Sequence, residues 1–377
     1  MNHRERVLAV LNYENYDRLP IVHFGFWTET LVKWAQEGYI RMDEALGWGD
    51  GNEIDRKLGA QLGFDFNWSM GSFGFTSHLM PRFESKVVAS FPDGSRHVLN
   101  GDGVIVMEKD DATSIPPEIE HLLKGRAEWE EYYLPRLRFS AERINANPER
   151  IQAIRSGEWT FPVQVWSGSL YGYIRDWVGV VNLSYLQVDD PGLFDEMIDT
   201  LGDLTVRGVK AALDLIPNDI PLDYGHMWED ICFKSGPLIR PSVFREKVGP
   251  HYRRITDHLH ARGIKLVSLD CDGKIDALVP IWLENGVNVM YPIEVGTWNA
   301  SIKPWREKYG RELRGVGGMD KRVFAFDRAA IDAEVERLKD LVDLGGYIPC
   351  PDHRIPPDAQ WDNVLYYTDR MRKTFGG

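Results

Sequence analysis

The chain is short of cysteine, of long apolar runs and of positive charge, and each shortage excludes something. Cys232, Cys271 and Cys350 are its three cysteines, an odd set with no repeated short spacing, so no disulfide framework is indicated and reduced thiols are expected. No apolar run reaches the roughly 18 residues that span a bilayer, and the N-terminus MNHRERVLAV is charged and amphipathic, unlike a signal peptide. The expectation is a cytoplasmic protein without membrane contact. Lys and Arg number 44 against 57 Asp and Glu, a net charge of −13. With no dense basic stripe to offset it, that charge repels phosphate backbones and removes nucleic acid as a partner.

What is present is an ordinary globular composition, 43% hydrophobic and 27% charged over 377 residues, enough for one large core or two smaller ones. Thirteen Trp exceed what a core needs, which points to aromatics lining a pocket or interface. Arg4 to Leu11 reads as a helix, and a turn at Tyr16–Pro20 feeds a strand over Ile21–Phe24. Phe64–Trp68 is a second strand. Lys86–Phe91, His97–Leu99 and Gly103–Met107, separated by turn residues, read as β-hairpin material, followed by a helical stretch over Trp129–Leu137. Residues of about 81–140 are therefore expected to be an insertion.

From Phe161 the rhythm is regular. Strands are expected at Phe161–Val165, Ile220–Leu222, Lys265–Leu269, Val287–Tyr291, Leu313–Val316 and Tyr347–Ile348. Helices separate them, one opened by Asp190 as N-cap with Pro191 behind it. About eight strands alternating with helices predict a single (β/α)8 TIM barrel with a β-hairpin insertion in its first third. No GxGxxG follows the first strand, which argues against a dinucleotide-binding open sheet.

In such a barrel the chemistry lies at the C-terminal strand ends. That rule selects His23 and Trp27; Asp65 and Asn67; Trp166, Ser167 and Tyr173; Asp223 and His226; Asp270, Cys271 and Asp272; Glu294; Asp320, Lys321 and Arg322; and Cys350, Asp352 and His353. Strand alternation turns Cys271 away from its two acidic neighbours and makes it a core thiol. Asp272 reads equally as a cap for a helix starting near Ile275. His353, in the proline-bounded PCPDHRIPPD, is the leading catalytic candidate. Facing Asp270 and Asp272 across a barrel mouth, it supplies either a general acid/base or, with them, the ligands of a divalent metal.

RERVLAVLNYENYDRLPI, GPLIRPSVFREKVGPHYRRI, SLDCDG, MYPIEV, GVGGMDKRV and GGYIPCPDHRIPPD resemble, in order and spacing, the uroporphyrinogen decarboxylase superfamily. The resemblance implies a (β/α)8 barrel and either a decarboxylase or a cobalamin-linked methyltransferase. True decarboxylases carry an arginine-rich MRQAGRY-like stretch where this chain has HFGFWTETL. Zinc methyltransferases of the superfamily carry His-x-Cys-Gly where this chain has Asp270-Cys271-Asp272-Gly273, and a second cysteine where it has His353. Oxygen and nitrogen thus replace sulfur, which suits a harder ion than thiolate zinc or metal-free acid chemistry.

The resemblance implies methyl transfer between a small methylated substrate and a corrinoid carried by a partner protein. His23, Trp27, Tyr173 and His226 would shape the pocket, and Glu294 would orient His353 or a ligand. The alternatives are a decarboxylase of a small acid, its carboxylate held by Lys321 and Arg322, and a small-molecule-binding barrel without catalysis.

Overall fold

Val7, Val10 and Leu11 seat the opening helix His3–Leu11 on the core, with Asn2 and Glu5 closing a capping box at its start. The protein was examined as a computed structural model, which describes residues 1–71, 73–109 and 115–376. Eight parallel strands form its centre: β1 (Val22–His23), β2 (Phe66–Asn67), β3 (Gln164–Trp166), β4 (Tyr224–Trp228), β5 (Leu266–Asp270), β6 (Val289–Ile293), β7 (Arg314–Met319) and β8 (Tyr347–Pro351). Strands β3 to β8 form one sheet in chain order, and β1 pairs with β2. Phe73 bridges to Val165 in β3 and Phe26 to Ile355 beyond β8, both parallel. These two bridges join the β1–β2 pair to both edges of the sheet, giving the expected (β/α)8 barrel.

Buried on both faces, the later strands read as near-continuous apolar runs, and the helices between them are amphipathic. The helix Pro191–Leu215 shows the logic. The Asp190 carboxylate accepts the Leu193 amide at 2.9 Å, and Leu193, Phe194, Met197, Ile198, Leu201 and Leu204 are buried along one face.

One strand falls later than expected. Ile220-Pro221-Leu222 precedes β4, and Ile220 packs with Phe73, Val163 and Ile216 in a small satellite core. The strand itself, Tyr224-Gly225-His226-Met227-Trp228, puts polar and aromatic residues toward the barrel axis, a pattern that does not stand out as an apolar run. Asp223 consequently lies at the N-terminal end of β4, gripped by two nitrogens of Arg4 at 2.7–3.0 Å. Asp65 likewise precedes β2 and pairs with Arg18 at 2.7 Å. Both are structural ion pairs at the floor of the barrel, opposite the mouth.

Residues 86–121 contain a four-stranded antiparallel sheet, Lys86–Ser90, Arg96–Leu99, Val104–Glu108 and Glu118–His121, one strand more than the sequence suggests. A π-helical turn at Trp129–Tyr133 and a 3-10 turn at Leu134–Leu137 occupy the expected helical stretch. Among the described residues no helix is long and apolar enough to cross a membrane.

Candidate functional site

β5 delivers the acids. Its alternation sends Leu266, Ser268 and Asp270 toward the barrel axis and Cys271 into the surrounding shell, where the thiol is 1% exposed and its sulfur accepts the Ile231 amide at 3.4 Å. Burial pushes that thiol well up. All three cysteines are buried and none forms a disulfide. After Asp272 the chain turns at Gly273, whose φ of +82° and whose absent Cβ, 2.3 Å from the Cys232 carbonyl oxygen, admit only glycine without strain.

That turn is clamped from β6. Glu294 accepts the Gly273 amide through one carboxylate oxygen and the Thr297 hydroxyl, at 2.8 Å, through the other. Its role is to hold the SLDCDG turn; it does not hydrogen-bond His353. Burial, then the charge of Asp272, raises the Glu294 pKa. The next helix starts at Val279 with Leu278 at its cap position and no side-chain cap. Asp272 is therefore not a helix cap. Instead its Oδ2 lies 3.0 Å from Nε2 of His353, while its Oδ1 is buried without a partner.

His353 arrives from the loop after β8. Its ring stacks on Trp27 at 5.3 Å between centroids and 28° between planes, and meets the edge of Phe24 at 5.0 Å. Phe24 in turn contacts Tyr291 of β6 at 4.7 Å. The next residue, Arg354, is bound to Asp50 at 2.6 Å. Asp270 differs from all of these, because among the described residues no group hydrogen-bonds its carboxyl. Its pKa is raised well above the usual range, first by burial and then by Asp272 and Asp230. Burial and the neighbouring acids thus favour the protonated form of Asp270, beside an aspartate–histidine pair.

The expected metal was tested against these donors. Nε2 of His353 is already engaged by Asp272, and among the described residues no three His, Cys, Asp or Glu side chains converge to hold an ion. The donor set does not fit a preformed divalent site at Asp270, Asp272 and His353. What it does fit is proton sharing.

The sequence profile of the uroporphyrinogen decarboxylase (URO-D) family matches residues 179–374, the part of the chain that carries β4 to β8 and both acidic strand ends. The chain belongs to the uroporphyrinogen decarboxylase family. Among solved structures it is similar to a methyltransferase from Methanosarcina mazei, at 14% identity and a TM-score of 0.60 over 99% of both chains. A B12-independent methionine synthase from Shewanella sp. W3-18-1 also matches, at 11% identity and a TM-score of 0.44, covering 95% of this chain and 98% of that one. The first likeness supports the barrel fold. No curated protein matches the sequence significantly.

Within this URO-D family member the remaining candidates divide. His226 faces the barrel axis on β4, 6.1 Å from Tyr291 and 6.0 Å from Trp166, and burial holds it neutral with a pKa of about 4. Tyr173 stands on the wall, 5.9 Å from Trp228, with its hydroxyl 3.4 Å from Ser77 Oγ. His23 does not reach the mouth. The alternation of β1 turns Phe24 inward and His23 outward, against Phe64 and Gly59 of the helix Glu53–Gln61, and burial lowers its pKa to about 3.

Lys321 lies 3.8 Å from buried Asp352, and Arg322 is locked on Asp320 at 2.7–2.8 Å. Both side chains thus face acids of their own loop. A cavity of about 570 Å³ between the strand Glu118–His121 and the helix Val180–Asp189 shares none of the mouth residues, and it is not this site.

Sequence reasoning missed Asp230. It follows β4, with a left-handed φ of +44°, and lies 3.5 Å from Arg175. Burial, then Asp272, raises its pKa. Placing the fourth strand four residues too early put Asp230 outside the loop under scrutiny. The signal was available, since Asp tolerates the left-handed region better than most residues. Trp228 was missed for the same reason; it sits in register with Asp270 on the neighbouring strand.

Proposed function

We propose that the protein is a methyltransferase that takes a methyl group from a small methylated compound and passes it to a corrinoid carried by a partner protein. The observation that carries this reading is Asp270, a carboxyl with a raised pKa and no hydrogen bond from the described residues, beside the Asp272–His353 pair. A methyl group leaving as a cation equivalent shifts an electron pair onto the heteroatom left behind; a neutral donor then needs a proton there, whereas an onium donor leaves uncharged. Asp270 and His353 can each supply a proton, with Asp272 fixing the imidazole. Trp27 and Phe24 orient the donor and exclude water. A corrinoid held by the partner would supply the reduced cobalt that takes up the methyl group. Side-chain exposures of 17% for His353 and 30% for Asp272 leave the pair reachable from the mouth, as an acceptor on a second protein requires.

The decarboxylase reading is the less favoured one, because Lys321 and Arg322 already face Asp352 and Asp320. The test is formation of methylcobalamin from reduced cobalamin, followed by absorbance, across methoxy-aromatic, methylamine and methylonium donors. The account expects transfer from at least one donor class and a loss of ~10²-fold or more in His353→Gln. Release of carbon dioxide from small acids, with no methyl transfer from any donor, overturns it.

A further inference from the structure

We infer that the donor is a small onium cation, a methylated ammonium or sulfonium compound that also carries a hydrogen-bonding group. Its role as methyl donor rests on the reading above; its binding does not.

The first observation is an excess of carboxyl groups over free cations at the mouth. Asp230, Asp270 and Glu294 all lie within electrostatic reach of Asp272. Each nearby cation is already committed: Arg354 to Asp50, Arg175 to Asp176 and Asp230, and His353 to Asp272. Oδ1 of Asp272 is buried without a partner, and among the described residues no group hydrogen-bonds the Asp270 carboxyl. An anionic ligand is repelled here and a neutral one leaves the carboxyl groups uncompensated, whereas a cation supplies what is missing.

The second observation selects the kind of cation. A small hydrated metal needs converging oxygens, and no such group of three exists among the described residues. Aromatic faces are present instead. Half-buried Trp27 and Trp228 and buried Phe24 surround the acids, and Tyr173 stands behind Trp228. Carboxyl groups interleaved with aromatic rings suit a large, weakly hydrated cation, which gains from ring quadrupoles what it lacks in directed ligation.

The third observation lies deeper in the barrel. Ser268 is fully buried and His226 is 5% exposed, they are register partners across β4 and β5, and Ser268 Oγ and His226 Nδ1 both lack partners. Ser268 points the same way as Asp270, one strand repeat below it. Two buried, unsatisfied polar atoms aimed along the axis call for a ligand hydroxyl or carbonyl between them.

An onium donor also simplifies the transfer. The carbon–nitrogen or carbon–sulfur electron pair stays on the heteroatom, which leaves as a neutral amine or sulfide without needing a proton. The partner's reduced cobalt provides the pair that forms the new bond to the methyl carbon.

The experiment is calorimetric titration of the full chain with choline, with 3,3-dimethylbutan-1-ol as its uncharged isostere, with tetramethylammonium, and with 4-methoxybenzyl alcohol, at one ionic strength. Choline is expected to bind at least about tenfold more tightly than the isostere, and Asp270→Asn and Trp27→Leu are each expected to weaken it by about tenfold or more. Ser268→Ala is expected to weaken choline and leave tetramethylammonium unchanged. Thermal melts establish that each variant is folded. Equal or tighter binding of the isostere, or binding of the methoxy compound with none of either onium ion, overturns the inference. Onium binding without methyl transfer to cobalt overturns the methyl-transfer reading and leaves the ligand class standing; transfer from neutral donors alone does the reverse.

Discussion

Asp270, Cys271 and Asp272 occupy three consecutive positions and have three different fates, decided by strand alternation and by what each meets. The direction of Cys271 was legible in the sequence, because a period of two carries it past the end of β5. Its prediction is modest: Cys271→Ala should leave turnover within about twofold while costing ~1–2 kcal/mol of stability in urea unfolding, from the emptied thiol volume. The inward or outward phase of a two-residue strand is not legible in the same way, which is why His23 was expected at the mouth while Phe24 holds that place. The Asp272–His353 contact makes a sharper prediction. A double-mutant cycle of Asp272→Asn and His353→Gln should show coupling of only ~0.2–1 kcal/mol in stability, given the partial exposure of both groups. In turnover the two losses should be strongly non-additive, as expected of groups acting as one unit. Additive losses would mean that the pair does not act together.

Among the elements, the turn after β5 and the start of β4 show where local pattern suffices and where it fails. Gly273 follows a strand, precedes a helix and reverses the chain, so its role is readable from its neighbours. Gly273→Ala should destabilise by ~2 kcal/mol or more, since a Cβ there meets the Cys232 carbonyl oxygen at 2.3 Å with φ at +82°. An unchanged urea midpoint would show that the Glu294 clamp does not depend on this turn. β4 was misplaced for the opposite reason. Its inward residues Tyr224, His226 and Trp228 serve the site, so they break the apolar pattern by which strands are recognised. Asp230 was lost with it. The antiparallel sheet at 86–121 was visible because hairpins announce themselves through turns such as Pro92-Asp93-Gly94, whereas its last strand, Glu118–His121, is charged and carries no apolar signature.

At the scale of the whole molecule, barrel and mouth impose opposite demands. The floor is stabilised by satisfied ion pairs such as Arg4–Asp223 and Arg18–Asp65, while the mouth holds carboxyl groups whose pKa values are raised. The pH dependence follows with a definite sign. Asp270, Glu294 and Asp230 have raised values in the fold, and Asp176, raised to about 7, belongs with them. At these groups the fold binds more protons than the unfolded chain does, so their contribution to stability is lost as pH rises through the raised values. Asp65 runs the other way. Its pKa is lowered, Arg18 and the Ile21 amide outweighing the cost of burial, so its contribution is present above the unfolded value and is lost on acidification.

The most direct measurement is thermal unfolding of Asp270→Asn at pH 4 and pH 8, paired with its rate of methyl transfer to reduced cobalamin. A carboxyl with a raised pKa at the heart of the site predicts a variant about 1–3 °C more stable than the parent at pH 8, indistinguishable from it at pH 4, and without transfer activity. A variant that is less stable at pH 8, or that transfers methyl groups as fast as the parent, would contradict the account.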